Sequence, residues 1–569
     1  MGRLTVEVER GRGLGVLRDA RLLALDAAEQ IAATNGVCIR PLVHRRVDIA
    51  TGRSDMVHVP CGARLEAKCP PCAKRNRQVR RAQCREGWHL ETEPPMAGAG
   101  GPVTVAEPGE AGEGQRWLVE MRADLEAQRE VAACMGADTA GLEAAIVAVE
   151  AEIGAAEVRA AQYDAEALAG QGRGHRVRST RRRQDAPDLP RRTMRDTTVG
   201  RTYAAPDGRV YRPSMFITLT LPSYGRVRGG VPVDPGTYDY RRATRDALHF
   251  SKLVDRFVQN LRRVAGFSVQ YFASVEGQKR GAPHLHMAIR GTLPRAELRQ
   301  IIAATYHQVW WPAADEAVYE GDRLPVWSEG AGGYVDPASG EVLPRWDEAL
   351  DRLGVDEDAA PLHVVRFGVQ YDVQGLLAGT ADADQRVRYL TKYLTKSLGE
   401  TVVDGEDGGA ARRAHVARLV AALRFEPCSP GCSNWLRYGV QPRGAVSGLV
   451  PGWCRGKAHR AEQLGYGGRR VLVSRRWSGK SMGDHRRDRR SWVMAALGLD
   501  ETPDAHRYVW RRVAWAEADA GSLALGLLRE VANRQRWRAE LERLRARAND
   551  PPHDSETAAL GNADVLIGG

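Results

Sequence analysis

Two histidines alternate along a short apolar run, and a glutamate precedes them. The stretch E-G-Q-K-R-G-A-P-H-L-H covers residues 276–286. Side chains at positions i and i+2 of a strand point to the same side, so His284 and His286 would present two imidazoles together while Leu285 enters the core. Glu276, across a short glycine-containing hairpin, could add a carboxylate. Two nitrogens and one oxygen with open positions form a ligand set for a catalytic divalent cation.

A second motif repeats four residues back to back, Y-L-T-K-Y-L-T-K, at 389–396. Helical spacings of three and four return to one face. The predicted stripe on that face contains Tyr389, Lys392, Tyr393 and Lys396. Leu390 and Leu394 would bury the helix against a core. An ordinary amphipathic helix with a solvated polar face has the same pattern, so the repeat by itself leaves the use of this stripe open.

Four cysteines near the N-terminus have the spacing Cys-x7-Cys-P-P-Cys-x11-Cys. They are Cys61, Cys69, Cys72 and Cys84. A Cys-x2-Cys pair with two further thiols nearby is typical of a structural Zn²⁺ site with four thiolates. The irregular outer spacing leaves Cys38, His44 and His58 as competing ligands. Arginines through 75–85 indicate that this module touches DNA.

A second cluster has the spacing Cys-x3-Cys-x21-Cys-x4-His and comprises Cys428, Cys432, Cys454 and His459. This spacing predicts a second structural zinc. The next stretch, 465–481, mixes aromatic and basic residues as a DNA-contacting surface would. The DNA contacts expected there come from Arg475, Arg476 and Lys480. Its S-G-K-S has Ser474 where a phosphate loop needs glycine, so we predict no ATPase or helicase domain.

The central third of the chain contains the elements that must position these residues. Strands are predicted at 215–222, 269–276, 284–290 and 362–369, and helices at 245–264 and 294–311. With the tyrosine repeat on a helix after the last strand, the order is β-α-β-β-α-β followed by α. This order is that of a split βαβ antiparallel sheet in an α+β fold, with one face free to carry a site.

The charge of the chain favours a polyanionic partner. The formal net charge is +12 and the pI is near 9.4, with 83 basic and 71 acidic residues. Basic surfaces bind phosphate backbones largely through the release of counterions. Codon bias toward arginine is the alternative explanation, because only eight of the basic residues are lysine. Two of those eight lie in the tyrosine repeat.

Compartment and membrane association are also constrained. No stretch approaches 18 uncharged apolar residues, and the first ten residues lack the apolar segment of a secretion signal. We therefore expect a cytoplasmic protein without a membrane partner. Nine cysteines in a reducing compartment favour metal binding over disulfides.

Composition divides the chain further. A basic, proline-broken connector precedes the central third, and its Arg181, Arg182 and Arg183 either track a phosphate backbone or lie in an unstructured linker. Trp510, Trp515 and Trp537 are expected in the core of a C-terminal helical region. The predicted organisation is an N-terminal segment at 1–36, a cysteine module at 37–94, a linker and helical insertion at 95–170, the connector at 171–200, a central domain at 201–425, a second cysteine module at 426–490, the helical region at 491–550 and a disordered tail at 551–569.

Three motifs together resemble a known family. F-I-T-L-T at 216–220, P-H-L-H-M at 283–287 and the tyrosine repeat occur in the order of the three motifs of HUH endonucleases. Flanking stretches, including V-R-S-T-R-R-R-Q-D-A-P-D-L-P and W-L-R-Y-G-V-Q-P, are similar to replication initiators of actinobacterial plasmids and integrative elements. The resemblance covers about 37–490 apart from 95–170. It implies site-specific nicking and rejoining of one DNA strand in rolling-circle replication.

The resemblance also implies roles for residues. A phenol with an ordinary pKa near 10 is only about 0.1% ionised at pH 7. A divalent cation, Mg²⁺ or Mn²⁺, on the scissile phosphate and a nearby ammonium would compensate, giving a 5′-phosphotyrosine and a free 3′-hydroxyl. Motif order favours Tyr393 as first nucleophile and Tyr389 as second, with Lys396 assisting Tyr393 and Lys392 as the other cation. Related initiators place a carboxylate at the earlier position, so one nucleophile is the alternative.

The expected partners are origin DNA, cleaved as a single strand, and a host helicase and DNA polymerase. Two other functions fit the same residues. A single-strand transposase or relaxase would use the same chemistry. A zinc-containing DNA-binding regulator would use the histidine pair only structurally. Formation of a covalent adduct with DNA distinguishes the nuclease from the regulator.

Overall fold

A computed structural model describes residues 24–90 and most of the C-terminal two thirds of the chain. The latter runs from 186 to 549 with gaps at 196, 199–202, 205–209, 357, 379, 404–408, 497–506 and 514–519. Between 91 and 185, only helical positions 129, 143, 146 and 147 are described. The chain divides into two compact units, Met1–Pro95 with Asp185–Leu350 and Ala360–Gly569, and Met96–Gln184 with Asp351–Ala359. The histidine pair, the tyrosine repeat and both cysteine groups belong to the first unit.

Several sequence predictions fall outside the described residues. These are the arginines Arg181, Arg182 and Arg183 of the connector, residue Trp515, the tail at 551–569 and nearly all of the segment at 95–170.

The described strands are β1 (Leu42–Asp48), β2 (Ser54–Val59), β3 (Tyr203–Ala204), β4 (Val210–Tyr211), β5 (Pro213–Leu219), β6 (Val227–Arg228), β7 (Val231–Pro232), β8 (Tyr271–Gly277), β9 (Pro283–Arg290), β10 (Tyr306–Val309), β11 (Val326–Ser328), β12 (Gly333–Val335), β13 (His363–Arg366), β14 (Tyr371–Leu377), β15 (Val471–Val473) and β16 (Tyr508–Arg512). The described helices are α1 (24–34), α2 (Pro70–Trp88), α3 (Tyr240–Ala265), α4 (Arg295–Ala304), α5 (Trp346–Val355), α6 (Ala381–Lys392), α7 (Leu398–Val403), α8 (Gly409–Leu423), α9 (Met482–Ala496) and α10 (Ala520–Asn549). Short 3₁₀ turns lie at Gly321–Arg323, Ser433–Tyr438, Lys457–His459 and Ala461–Gln463. Among these helices, none combines the length and apolar character that a membrane span requires.

The largest described sheet has five strands in the order β14-β5-β9-β8-β15, and every neighbouring pair is antiparallel. The fold is thus mixed α and β with antiparallel sheets, as expected. The prediction for 362–369 as a strand of this sheet was wrong, because β13 pairs instead with β10 in a separate two-stranded sheet. The prediction of one helix over 294–311 was also wrong, since α4 ends at Ala304 and β10 follows. The edge position beside β5 belongs to β14.

The two faces of this sheet are covered by different helices. Alternate residues of β5, β8 and β9 enter a large core with α3 and α4 on one face; Ile217, Val275 and Leu285 are among its fully buried members. The long helix α3 is capped at its start by Asp239, whose carboxylate accepts from the Arg242 N–H, and at its end by Gly266 in the left-handed region. The helix thereby lies along this face of the sheet.

The opposite face has a smaller apolar cluster, in which α2 and α6 pack on the sheet. Their contributions are Cys84 and Trp88 from α2 and Ala383, Val387 and Leu390 from α6. Trp477, just after β15, lies between them with no exposed surface. The cluster does not include the hairpin ends of β8 and β9, near Gly277 and Pro283. These ends lie on the side of the sheet that carries α6.

The N- and C-terminal segments form a further layer. β1 lies between β2 and β16, and α10 packs on α1 through Leu527 and Val531. The prediction of a helical region at 491–550 was therefore wrong for β16. The predicted core positions also differ, since Trp510 is 48% and Trp537 49% exposed.

Candidate active site

The hairpin register brings the predicted metal ligands together. In the β8–β9 pair, Glu276 lies directly opposite His284, and Ser274 lies opposite His286. All four side chains therefore share one face of the sheet. Candidate ligand atoms of Glu276, His284 and His286 lie within 4.8 Å of one another. The two imidazole Nε2 atoms are 2.7 Å apart.

The orientation of His286 is fixed by its neighbours. Its Nδ1 lies 3.0 Å from the hydroxyl of Thr218 on β5, so its Nε2 faces the other ligands. The ring stacks on Phe216 with centroids 5.9 Å apart. A carboxylate oxygen of Glu276 lies 3.8 Å from the same Nε2. A hydrogen bond at one imidazole nitrogen that directs the other is the usual arrangement around metal-binding histidines.

Burial determines the protonation of the three groups. It lowers the pKa of His284 to about 3 and that of His286 to about 4. It raises the pKa of Glu276 to about 7, because a carboxylate loses its hydration there. Both imidazoles are therefore neutral at neutral pH, which is the form that binds metal.

The donor set fits a divalent cation. The Nε2 atoms of the two neutral imidazoles face each other across 2.7 Å, and the buried Glu276 carboxyl lies beside them. Their lone pairs would repel each other unless a proton or a cation lies between them. Two nitrogens and one oxygen leave coordination positions for a substrate oxygen. Glu276, His284 and His286 are thus the residues that would hold such an ion.

The tyrosine repeat does not form one continuous helix. α6 ends at Lys392, and Tyr393 has φ −102° and ψ 12°, outside the helix. The predicted stripe of four residues on one helical face was therefore wrong beyond Lys392. Within the helix, Leu390 is fully buried as predicted. Three residues after the helix end, the Thr395 hydroxyl donates to Glu66 of the cysteine module.

Tyr389 is the phenol that contacts the histidine pair. Its hydroxyl lies 3.4 Å from His286 Nε2, and the two rings are perpendicular at 5.0 Å. The side chain is 39% exposed, so a ligand can reach it. Burial and the Glu276 carboxylate raise the pKa of Tyr389, while the Arg386 guanidinium opposes the rise. This tyrosine thus lies beside the candidate metal ligands.

The other residues of the repeat occupy different positions. The Lys392 amine lies over the Tyr393 ring at 4.9 Å from its centroid. Lys396 lies in the turn after the helix, where its N–H donates to the Tyr393 carbonyl. Tyr393 is close enough to raise the pKa of Tyr389. The repeat therefore places its first tyrosine at the histidines and its second one turn away at the helix end.

Two arginines near the site were missed from the sequence. Arg386 lies one helical turn before Tyr389, donates to Gln374 on β14 and places its guanidinium 5.4 Å from the Phe216 ring centroid. Arg470 lies beside β8, where its Nε donates to the Val275 carbonyl at 3.1 Å. Arg386 could have been predicted from the sequence, because a residue three positions before Tyr389 lies on the same face of a helix. Nothing local to the sequence indicated Arg470.

The first cysteine group combines four thiols. Their sulfur atoms lie within 4.8 Å of one another and belong to Cys38, Cys61, Cys69 and Cys72. Contact with the Cys38 thiol lowers the pKa of Cys72 to about 5. Four converging thiols, of which at least one ionises readily, could hold zinc.

Cys84, predicted as the fourth ligand, lies elsewhere. Cys72 is in the first turn of α2 and Cys84 is twelve residues later in the same helix, about 18 Å along the axis. The two thiols therefore cannot bind one ion. Cys84 is fully buried against the Trp88 and Trp477 cluster. Cys38, one of the competing candidates, completes the group.

The second group contains the four residues predicted for it, Cys428, Cys432, Cys454 and His459. The Cys428 and Cys454 sulfurs are 3.8 Å apart, and Cys432 Sγ lies 3.6 Å from His459 Nε2. Contacts with Cys428 and Cys432 lower the pKa of Cys454. This set could also hold zinc.

The segment at 465–481, predicted to be a DNA-contacting surface, exposes fewer of its aromatic and basic side chains than that prediction requires. Tyr466 and Trp477 are buried, so its aromatic residues are core and cannot stack on bases. Lys480 pairs with Glu86 at 2.8 Å and Asp488 at 2.9 Å. Arg476 donates its N–H to Gln270, whereas Arg475 is exposed. Of the DNA contacts predicted there, Arg475 and Lys480 are exposed and Arg476 is half-buried.

The cysteine module at 37–94 is joined to both ends of the tyrosine helix. Near the start of α6, Asp384 accepts from Arg85 at 3.0 Å and lies 3.3 Å from His89. After its end, Glu66 accepts from the Thr395 hydroxyl at 2.7 Å and donates its N–H to the Thr395 carbonyl. Glu66 lies in the loop between the ligands at 61 and 69, so this loop positions the turn that carries the second tyrosine.

Replacement of Glu66 tests this connection. Glu66→Ala removes a charge-assisted hydrogen bond to a buried residue, and we expect a loss of about 1.5 kcal/mol in the free energy of unfolding, measured in urea. Amide hydrogen exchange over 393–397 should accelerate in the same variant. Glu66→Gln keeps an acceptor oxygen and should behave nearly as the parent. Equal exchange in all three proteins would contradict a positioning role.

Comparisons with known proteins identify the family of the chain. The family model described as "RepSA: Replication initiator protein, pSAM2" matches residues 24–542. A replication initiator protein from Streptomyces ambofaciens is 30% identical over 284 residues, covering 39% of this chain and 52% of that protein. The chain thus spans about half the length of that curated relative. No solved structure matches. With a match across most of its length, the chain belongs to the RepSA family of replication initiator proteins.

Proposed function

We propose that this replication initiator nicks and rejoins one strand of origin DNA through a covalent tyrosine intermediate, in rolling-circle replication of a plasmid or integrative element. The observation that carries the proposal is the contact of Tyr389 with His286, inside a group that also contains His284 and Glu276. A phenol beside a candidate metal site could act as the nucleophile that attacks a phosphodiester.

The five-stranded sheet is proposed to be the core of an HUH endonuclease. Its histidines lie on the central strand β9, and its tyrosine helix packs on the same face. A divalent cation held by Glu276, His284 and His286, either Mg²⁺ or Mn²⁺, would polarise the scissile phosphate and stabilise the charge that develops there.

The attack assigns roles to residues of α6. The Tyr389 hydroxyl gives up its proton as its oxygen forms a bond to phosphorus. The bond from phosphorus to the 3′ oxygen breaks, and that oxygen takes up a proton and leaves as a 3′-hydroxyl. Arg386, one turn away, opposes the rise in the Tyr389 pKa and offers a cation for the phosphate. Because the phosphoester to tyrosine preserves the bond energy, a 3′-hydroxyl can later reverse the step without ATP.

A second cut is needed to release the displaced strand. We propose Tyr393 as the nucleophile for this cut, because it lies close to Tyr389 at the end of the helix. Motif order favours the reverse assignment, with Tyr393 acting first, whereas the contact of Tyr389 with His286 supports Tyr389 as the first nucleophile. Lys392, whose amine lies over the Tyr393 ring, is the cation proposed to assist that phenol.

Trapping of the intermediate tests the proposal. Single-stranded oligonucleotides that tile the origin region of the encoding element are labelled at either end and incubated with protein and Mn²⁺. We expect the 3′ label to move with the protein on a denaturing gel and the 5′ label to appear on a shorter free strand. Transfer of the 5′ label to protein would contradict a 5′-phosphotyrosine. Binding without cleavage would favour a DNA-binding regulator.

A further inference from the structure

Several basic residues from four separate segments converge near the active site. Arg64 lies in the loop of the first cysteine group, Arg80 on α2, Arg486 on α9, and Lys457 and Arg470 in the stretch after Cys454. The sequence gives no sign that these positions are neighbours. Their convergence is a product of the fold.

Hydrogen bonds fix one end of this group. Asn76 of α2 donates its amide to the carbonyls of Gly62 and Ala63, at 3.0 and 2.9 Å, which places the following Arg64 beside the helix. Arg486 donates to Asn76 Oδ1 at 2.9 Å. One asparagine thus holds the Arg64 loop and the Arg486 helix together, and Arg80 follows one turn along α2.

The other end reaches the active site. Arg470 pairs through its backbone with Val275, the residue before Glu276, and its Nε donates to the Val275 carbonyl. Both terminal nitrogens of Arg470 are buried and make no hydrogen bond to the described part of the chain. A buried guanidinium with two unpartnered donor nitrogens is costly unless an acceptor arrives. A phosphate oxygen is such an acceptor.

Like charges in this group act on one another. Burial and neighbouring guanidinium groups lower the pKa of Arg80 to about 10, the neighbours being Arg64, Arg486 and Arg469. Lys457 is held close to Arg470 in the chain, because its ammonium donates to the Gly468 carbonyl at 2.6 Å. The carboxylates that act on Arg470 are Glu276 and Glu400. Mutual repulsion of this kind is relieved when a polyanion binds.

We propose that these side chains form one basic track that binds phosphates of the single DNA strand entering the nicking site. The track comprises Arg64, Arg80, Lys457, Arg470 and Arg486. The inference rests on the proposed function, because the strand is the one that Tyr389 would attack. It gives the first cysteine group a part in holding DNA as well as in positioning the tyrosine turn.

The salt dependence of binding tests the track. Affinity for a fluorescent single-stranded oligonucleotide is measured by anisotropy over a range of salt concentrations, without added Mg²⁺ or Mn²⁺, in a Tyr389→Phe/Tyr393→Phe background that cannot cleave. Each lost phosphate contact reduces the slope of log K against log salt by about 0.7. Arg64→Gln/Arg486→Gln should therefore reduce the slope by about 1.4.

A charge-matched control is Arg295→Gln/Arg299→Gln, on exposed positions of α4 across the sheet from the active site. We expect this variant to keep the parental slope. The proposed track would be contradicted if the slope of log K against log salt were the same in both double variants, whether equal to the parental slope or changed equally. The binding experiment does not measure cleavage, so the two proposals can fail separately. If Arg64→Gln/Arg486→Gln reduces the slope but the protein with both tyrosines forms no adduct with DNA, the nicking proposal is rejected and the basic track is retained.

Discussion

Tyr389→Phe is expected to reduce covalent adduct formation with single-stranded origin DNA by about 10³-fold or more, because it removes the attacking oxygen while it leaves the ring in place. The hydroxyl contributes one long contact, 3.4 Å to His286 Nε2, and the side chain is partly exposed. The fold should therefore tolerate the change. The measurement is the yield of protein carrying the 3′-labelled fragment in the presence of Mn²⁺.

Tyr393→Phe is the matched control for this prediction. Both substitutions remove one hydroxyl from the same repeat, yet Tyr393→Phe should retain first-strand nicking and lose only the second transfer. Mass spectrometry of the nucleotide-bearing peptide should identify Tyr389 in the parent. Full adduct formation by Tyr389→Phe together with its loss in Tyr393→Phe would show that Tyr393 attacks first, as motif order favours. The assignment of Tyr389 as first nucleophile, which rests on its contact with His286, would then be wrong.

The part of the site that could be predicted from sequence lies within single elements. His284 and His286 share a face because they are two residues apart in one strand, and Leu285 is consequently buried on the other side. Glu276 could be added because a short hairpin fixes its register. Such relations depend on the backbone period alone, so they require no knowledge of the tertiary structure.

The predictions that failed depend on contacts between distant segments. The tyrosine helix was expected to continue past Tyr393, but Glu66, 329 residues away along the chain, binds Thr395 where the helix ends. β13 has a strand-like sequence, yet its partner is β10 and not the main sheet. Local pattern gives the type of an element, and tertiary pairing decides its end and its neighbour.

The cysteine groups show the same division. The second group needed only the spacing of its four residues, which a compact loop brings together. The first group needed the knowledge that Cys72 and Cys84 belong to one helix. A twelve-residue separation that would be flexible in a loop becomes a fixed length of about 18 Å in a helix.

Cys72→Ser is expected to reduce the zinc content of the purified chain from about two ions to about one, since it removes a ligand from one of the two cysteine groups. A structural zinc contributes on the order of 10 kcal/mol of binding free energy to folding, so the domain around α2 should lose much of its stability. Zinc content is measured by elemental analysis, and stability by urea unfolding.

Cys84→Ser is the control that the helix geometry provides. Its thiol is as buried as that of Cys72, but it faces Trp88 and Trp477, so this variant should lose some packing stability and keep both ions. A loss of zinc in Cys84→Ser, or its full retention in Cys72→Ser, would contradict the ligand set.

The region that becomes more dynamic when metal is lost shows which cysteine group supports the tyrosine turn. Residues Cys61 and Cys69 hold both ends of the loop that carries Glu66, so removal of the metal through Cys72→Ser should accelerate amide exchange over 393–397. Cys432→Ser empties the other group, which packs on Trp346 and Trp435, and should leave exchange over 393–397 unchanged. Acceleration in the first variant alone would tie this metal site to the tyrosine turn, whereas equal acceleration in both would indicate general unfolding.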